Sequence, residues 1–218
     1  MKEEIFHPSA VILDMDGLML DTEKLAIDLW ERTGKILGYE ISREMVIRTL
    51  GIPDEGMRPL FRREFGPDFP YDKFLEIHRQ LSMEEYKNGI AHKPGLTVLL
   101  DHLSFLKIPA AVATSTSRNT AFYKLRQAGI EDRFSVVVCG DEVVNGKPAP
   151  DIFLLTAEKL GKAPSECIGI EDSPAGLQGL HAAGIRSVFI KDIIEPPDEI
   201  LAAVWRRCDN LAGVIELL

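Results

Sequence analysis

Residues 9–17 have the sequence SAVILDMDG, an apolar run that ends in two aspartates and a glycine. A short apolar run bounded by turn residues predicts a buried β-strand that leads into a tight turn. Asp14 and Asp16 would then lie just beyond the carboxyl end of that strand. In a doubly wound parallel sheet, ligands bind at this edge. The stretch therefore predicts the first strand of the fold and the first two residues of a site.

The pattern becomes helical from Thr22 to about Lys87. Apolar residues recur there at spacings of three and four, which is typical of amphipathic helices. No strand-like run interrupts the stretch, so we expect a compact helical unit inserted directly after the first strand. Its four predicted helices are marked by residues 25–37, 42–50, 61–65 and 74–86.

Beyond His92 the sequence alternates between helical and extended patterns. Such alternation implies βαβ units and a parallel sheet that is covered on both faces. The predicted fold class is α/β, a three-layer Rossmann-like core interrupted by an α-helical unit. The expected helices cover residues 96–106, 120–128, 150–160, 174–183 and 199–206, and the expected strands cover residues 110–113, 136–139, 167–170 and 187–190.

Composition excludes several classes of protein. The 218 residues include 25 Lys and Arg against 34 Asp and Glu, a net charge of −9 that gives no basic field for nucleic acid or an anionic membrane. No stretch approaches the roughly 20 apolar residues of a membrane span, and the first residues lack the basic region of a signal peptide. Three scattered cysteines form no disulfide framework. We therefore expect a cytoplasmic protein with reduced thiols.

Residues capable of chemistry follow four of the predicted strands. Together they suit phosphoryl transfer, in which one carboxylate attacks phosphorus and a second handles the proton of the leaving group. A lysine and hydroxyls would hold the phosphate, and a hard divalent cation with oxygen ligands would offset the charge. The set comprises Asp14 and Asp16, Thr114 and Ser115, Lys147, and the pair Glu171 and Asp172.

Four stretches of the chain, taken in order, resemble the four motifs of the haloacid dehalogenase (HAD) superfamily. The helical insertion also lies where the β-phosphoglucomutase-like branch of that superfamily carries its cap. The resemblance implies a catalytic core of residues 1–21 and 93–218 and a cap, similar to a four-helix bundle, of residues 22–92. The four stretches are 14–23 (DMDGLMLDTE), 111–115 (AVATS), 146–148 (GKP) and 169–173 (GIEDS).

The resemblance implies a catalytic role for each matching residue. Asp14 resembles the nucleophile that becomes an aspartyl phosphate. Asp16 would be the general acid for the leaving alcohol and then the base for water. Thr114 is the preferred donor to the transferring phosphoryl group, with Ser115 beside it, and Lys147 would neutralise charge between the nucleophile and the phosphate.

The same resemblance implies a Mg²⁺ cofactor. Its ligands would be Asp14, the backbone carbonyl of Asp16, and Asp172, while Glu171 would act through water or as an outer partner. Oxygen ligands of this kind are those that Mg²⁺ prefers.

We expect a Mg²⁺-dependent phosphatase for a small phosphorylated metabolite, either a sugar phosphate or a nucleotide-like compound. Closure of the cap would exclude water and select the leaving group. The candidates for that selection are Glu23 at the hinge and Gly51 and Ile52 in the cap. We expect the enzyme to be a monomer.

Two alternatives stay open. The first is a β-phosphoglucomutase-type sugar phosphomutase, but the histidine and arginine that those mutases carry are replaced here by Ala26 and Asp54. An arginine such as Arg58 could compensate, as could Arg62 or Arg63. The more remote alternative is a receiver-like module that binds partners through a phospho-aspartate. In receivers, however, the acid pair precedes the acceptor. The second aspartate, Asp16, argues against dehalogenase and phosphonate-hydrolase chemistry.

Overall fold

Six parallel strands form one sheet in a computed structural model that describes residues 6–49 and 54–218. The order across the sheet is β3-β2-β1-β4-β5-β6, so the first strand of the chain lies near the centre. The predicted α/β class with a parallel sheet is therefore confirmed. The strands are β1 (Ala10–Leu13), β2 (Ala110–Thr114), β3 (Val136–Cys139), β4 (Cys167–Glu171), β5 (Arg186–Ile190) and β6 (Arg206–Cys208).

Nine α-helices are present in the same described residues. The chain divides into two compact units, Met1–Asp21 with Ala91–Leu218, and Thr22–Ile90. None of the described helices is long and apolar enough to cross a membrane. The helices are α1 (Glu23–Leu37), α2 (Arg43–Thr49), α3 (Asp54–Phe65), α4 (Tyr71–Tyr86), α5 (Leu96–Leu106), α6 (Arg118–Gln127), α7 (Asp151–Leu160), α8 (Pro174–Ala182) and α9 (Asp198–Leu201).

The register of the central strands fixes where the site lies. All four residues of β1 are buried, as expected for a central strand with both faces covered. Leu13 at its end pairs with Val112 of β2 and with Ile170 of β4. The three strands therefore end at nearly the same level. Whatever follows each of them meets at one edge of the sheet.

A cluster of buried apolar side chains packs the sheet against α7 and α8. Phe153 of α7 is 1% exposed and is the largest member of this cluster. Ile12 of β1 and Leu180 of α8 contribute to the same cluster and are fully buried. Because β1 and α8 flank the strand-end loops, this core holds in place the elements that carry the candidate site.

The described part of the unit Thr22–Ile90 is helical, and its four helices overlap the four predicted stretches, although the third begins at Asp54, seven residues before the predicted one. Its interior is aromatic, with the Trp30 ring 5.4 Å from the rings of both Phe61 and Phe74. Phe61 and Phe74 are fully buried. This unit thus has an apolar core of its own. Whether it acts as a cap stays a prediction.

The prediction for the end of the chain is wrong. The expected helix over residues 199–206 ends at Leu201, and Arg206 begins the sixth strand. The amide of Trp205 donates to the carbonyl of Ser187 (3.0 Å), which starts the pairing with β5. This edge strand has only three residues, and two of them are arginines. It therefore lacks the apolar run from which the other strands are predicted.

We predict that Phe153→Ala destabilises the protein by about 3–5 kcal/mol, because it removes a buried ring and leaves a cavity. Leu154→Ala is the control, since Leu154 follows in the same helix but is 40% exposed. It should change the free energy of unfolding by about 0.5 kcal/mol or less. Urea unfolding followed by circular dichroism measures both values. Equal losses in the two variants would contradict this description of the core.

Candidate active site

Lys147 lies at the centre of the candidate site, between two carboxylates. Its Nζ donates to Oδ1 of Asp14 (2.5 Å) and to Oε1 of Glu171 (2.6 Å). It also donates to the carbonyl of Ala113 (3.0 Å). These partners belong to β1, β4 and β2 or follow them directly, so one ammonium group connects the ends of three neighbouring strands.

The buried position of Lys147 perturbs its own titration. Burial by itself lowers the pKa of a lysine, since it disfavours the charged form. Here the negative charges of Asp14 and Glu171 outweigh burial and raise the pKa of Lys147 well above its usual value. The side chain is therefore a permanent cation at neutral pH.

For Asp14, the effect of burial on the pKa outweighs the effect of the neighbouring positive charge. Burial raises the pKa of its carboxyl to about 7, against the lowering effect of Lys147 and with a further increase from Glu171. One ammonium charge is shared by two carboxylates, and it does not fully compensate for the removal of Asp14 from water. The site consequently holds a carboxyl group that ionises near neutral pH.

Glu171 is completely buried, and both of its oxygens accept hydrogen bonds. Oε1 accepts from Lys147, and Oε2 accepts from the amides of Asp172 and Ser173 (3.1 Å each) and from the Ser173 hydroxyl (2.9 Å). Ser173 Oγ in turn accepts from the amide of Gly176 (3.0 Å) and caps α8. The acid pair thus starts a helix and also contributes to the site.

Gly176 makes room for the Glu171 carboxylate. A Cβ atom at position 176 would overlap the carboxylate carbon and both of its oxygens. The first turn of α8 can therefore close over Glu171 only because residue 176 has no side chain.

Three acids form a candidate cation site. Asp14, Glu171 and Asp172 each offer a carboxylate oxygen, and these oxygens lie within 4.8 Å of one another. A donor set made only of oxygens suits a hard cation such as Mg²⁺. Because Glu171 already accepts several hydrogen bonds, Asp14 and the half-exposed Asp172 are better placed to contact a metal directly.

Asp16 follows Asp14 in the turn beyond β1. Gly17 has a φ of +81°, a conformation that favours glycine and lets the chain turn back. The Asp16 carboxylate accepts hydrogen bonds from Lys124 Nζ at Oδ1 (2.6 Å) and from Thr116 Oγ1 at Oδ2 (2.7 Å). Sequence reasoning missed both partners. A lysine on the otherwise apolar face of α6 was the available signal for Lys124.

Thr114 and Ser115 differ in exposure. Thr114 ends β2 and is 1% exposed, and its Oγ1 accepts a hydrogen bond from the amide of Thr116 (3.1 Å). Ser115 is exposed. Both lie at the same edge of the sheet as Asp14, and the choice between their hydroxyls stays a prediction.

The three predicted substrate-selecting residues belong to a different part of the chain. Glu23 is the first residue of α1 in the unit Thr22–Ile90 and is half-buried. Gly51 and Ile52 lie outside the described residues. The structure therefore brings together the predicted core residues, and the predicted substrate-selecting residues stay predictions.

Comparison with known proteins gives consistent matches. The profile of the family described as "Haloacid dehalogenase-like hydrolase" matches residues 11–190. A Thermotoga maritima protein named "Phosphorylated carbohydrates phosphatase" is 31% identical over 83% of this chain and 83% of its own length. A Drosophila melanogaster protein named "Probable pseudouridine-5'-phosphatase" is 34% identical over 83% of this chain and 80% of its own. The crystal structure of CbbY from Rhodobacter sphaeroides with phosphate is similar at a TM-score of 0.83, with 26% identity over 95% of this chain and 96% of that one.

We predict that Gly176→Ala weakens Mg²⁺ binding by about 10–100-fold, because the new methyl group displaces the Glu171 carboxylate that orients the site. Gln178→Ala is the control, since Gln178 is an exposed residue of the same helix. Isothermal calorimetry measures the affinity, and circular dichroism checks that the variants are folded. Folded Gly176→Ala protein with unchanged Mg²⁺ affinity would contradict the role given to Glu171.

Proposed function

The chain belongs to the haloacid dehalogenase-like hydrolase family, and we propose that it is a Mg²⁺-dependent phosphatase acting on a small phosphorylated metabolite. One observation carries this proposal. Buried Asp14 lies beside Lys147 and within reach of Asp172 and Glu171. A buried carboxylate with an adjacent cation and further acids has the groups needed for a phosphoryl acceptor beside a metal.

Asp14 is the nucleophile in this mechanism. Its carboxylate attacks phosphorus, and the bond between phosphorus and the leaving oxygen breaks as Asp16 gives that oxygen a proton. Water then attacks the aspartyl phosphate and transfers a proton to Asp16. Inorganic phosphate is released, and both carboxyl groups return to their starting states.

The other residues hold charge in place. Lys147 keeps its positive charge and offsets the charge on Asp14 and on the incoming phosphate. Thr114 donates its hydroxyl to the transferring group. When bound by Asp14, Asp172 and the carbonyl of Asp16, Mg²⁺ supplies positive charge that stabilises the phosphoryl oxygens. Glu171 orients Lys147 and the start of α8.

The substrate class follows from the similar proteins and from the two-unit architecture. The related proteins have names that refer to phosphorylated carbohydrates and to pseudouridine 5′-phosphate. For this chain we take the substrate to be a sugar phosphate or a nucleotide-like monoester. The unit Thr22–Ile90 would serve as a cap that selects it through Glu23, Gly51 and Ile52. We place the enzyme in the cytoplasm as a monomer.

We predict that Asp14→Asn abolishes hydrolysis, with a loss of about 10³-fold or more, because an amide is not a competent nucleophile. A panel of phosphorylated sugars and nucleotides, assayed for inorganic phosphate with Mg²⁺ and with EDTA, measures this loss and its metal dependence. The control is Glu158→Gln, which changes an exposed carboxylate of α7 and should retain wild-type turnover.

Three results of the panel would contradict the proposal. Folded protein that releases phosphate from no monoester is not a phosphatase. Isomerisation of a sugar phosphate without phosphate release would identify a phosphomutase. A long-lived aspartyl phosphate formed without turnover would identify a receiver-like module.

We predict that Mg²⁺ binds about tenfold more weakly at pH 6 than at pH 8. Burial raises the pKa of Asp14 to about 7 in the metal-free protein, so its carboxyl is mostly protonated at pH 6 and ionised at pH 8. A metal ligand must be ionised, and binding at the lower pH therefore releases a proton. Calorimetry in buffers of different ionisation enthalpy measures both the Mg²⁺ affinity and the number of protons released on binding. Equal affinity at the two pH values would show that Asp14 is not a ligand.

A further inference from the structure

The carboxylate of Asp16 is held on both oxygens. Lys124 Nζ donates to Oδ1 (2.6 Å), and Thr116 Oγ1 donates to Oδ2 (2.7 Å). Asp16 itself is only partly exposed, with 21% of its side chain accessible. Its orientation is therefore set by two named partners within the catalytic core, and neither matches a residue of the four motifs described above.

Lys124 occupies a position that normally takes an apolar residue. It lies on the buried face of α6 with Ala121 and Leu125, both fully buried, and its own side chain is 10% exposed. Lysine is almost never buried to this extent without a charged partner. Replacing a buried ion pair by well-packed apolar residues is often neutral or stabilising. Stability of the fold is therefore a poor reason for a lysine here, and its contact with Asp16 is a better one.

Thr116 connects Asp16 to the predicted phosphate-binding hydroxyl. Its amide donates to Thr114 Oγ1 (3.1 Å), while its own hydroxyl donates to Asp16. Thr116 thus sets the spacing between the carboxylate of Asp16, which transfers the proton, and the hydroxyl of Thr114, which contacts the phosphoryl oxygens.

The two partners of Asp16 differ in what they can do during proton transfer. An ammonium group only donates hydrogen bonds, so the oxygen that faces Lys124 must remain an acceptor. A hydroxyl can donate or accept, so Thr116 remains a suitable partner whether or not the oxygen beside it carries a proton. Oδ2 is therefore the oxygen whose partner remains suitable when that oxygen carries a proton.

We propose that Lys124 is a positioning residue that fixes Oδ1 of Asp16 and so makes Oδ2 the oxygen that transfers the proton. This inference rests on the proposed phosphatase function. Oδ2 gives its proton to the leaving oxygen as the bond between that oxygen and phosphorus breaks. Oδ2 then takes a proton from the water that attacks the aspartyl phosphate. The proposed role of Lys124 is exerted through its ion pair with Asp16 and needs no contact with substrate.

Two substrates of similar size separate this role from a purely structural one. The leaving group of 4-nitrophenyl phosphate departs without a proton, whereas benzyl phosphate has an alkyl leaving group that needs one. We expect Lys124→Met to lower kcat/KM for benzyl phosphate by about 10–100-fold, part of the effect of a general acid, and that for 4-nitrophenyl phosphate by less than about threefold. Lys124→Arg retains a cation and should recover part of the loss.

Further variants make the test decisive. Asp16→Asn should show the same dependence on the leaving group, and adding Lys124→Met to it should change the ratio of the two kcat/KM values little, because both act on one group. Thr116→Val should change the ratio in the same direction and replaces Lys124→Met if that variant does not fold. Lys159→Met, in an exposed ion pair with Glu142, is the control and should leave the ratio unchanged.

The outcomes distinguish this inference from the proposed function. The role of Lys124 would be overturned if Lys124→Met and Thr116→Val each lowered kcat/KM equally for the two substrates, or if neither variant lowered it. Turnover by the wild-type protein would still support the phosphatase in that case. Wild-type protein that hydrolyses neither these substrates nor any metabolite of the panel would overturn the phosphatase itself.

Discussion

One ammonium group shared by two buried carboxylates is the constraint on which the rest of the structure depends. Lys147 reaches Asp14 beyond β1 and Glu171 at the end of β4, and it also contacts the carbonyl of Ala113 in β2. A buried charge is tolerated only when its partners are in place, and removing one partner of such a group typically costs about 3–5 kcal/mol. The three strands must therefore end at the same level. The parallel register that pairs Leu13 with Val112 and Ile170 meets this requirement.

The start of α8 provides the hydrogen-bond donors that the buried Glu171 carboxylate needs in addition to Lys147. Glu171 has no access to water, so its second oxygen needs donors from the protein. The amides and hydroxyl that follow it provide them, and Gly176 leaves the space in which the carboxylate lies. The segment that begins α8 as a helix cap therefore also holds Glu171 in position beside Lys147. Capping the helix and supporting the lysine are not alternatives, because one hydrogen-bond network serves both.

The sequence predicted the parts of the molecule that follow local rules. The apolar run before Asp14 forms strand β1, as predicted. The periodic stretches of the unit Thr22–Ile90 overlap its helices. Strand β6 was missed because a three-residue edge strand with two arginines has no apolar pattern. Lys124 was missed for a different reason. It belongs to no motif, and its partner Asp16 is 108 residues away, so only the folded chain brings them together.

Lys147 and Lys124 explain how a protein with a net charge of −9 can bind an anionic substrate. Each lysine is paired with one of the two carboxylates that are proposed to react, Lys147 with Asp14 and Lys124 with Asp16. Asp16 carries a proton when it acts as the proposed acid, so the two ammonium groups then leave one negative charge of Asp14, Glu171 and Asp172 uncompensated. One divalent cation would more than offset that charge. A phosphate dianion would be repelled by the metal-free site, since nearby charges of like sign oppose its approach. A bound cation would therefore favour the approach of the substrate, and the net charge of the whole chain does not decide binding at this edge of the sheet.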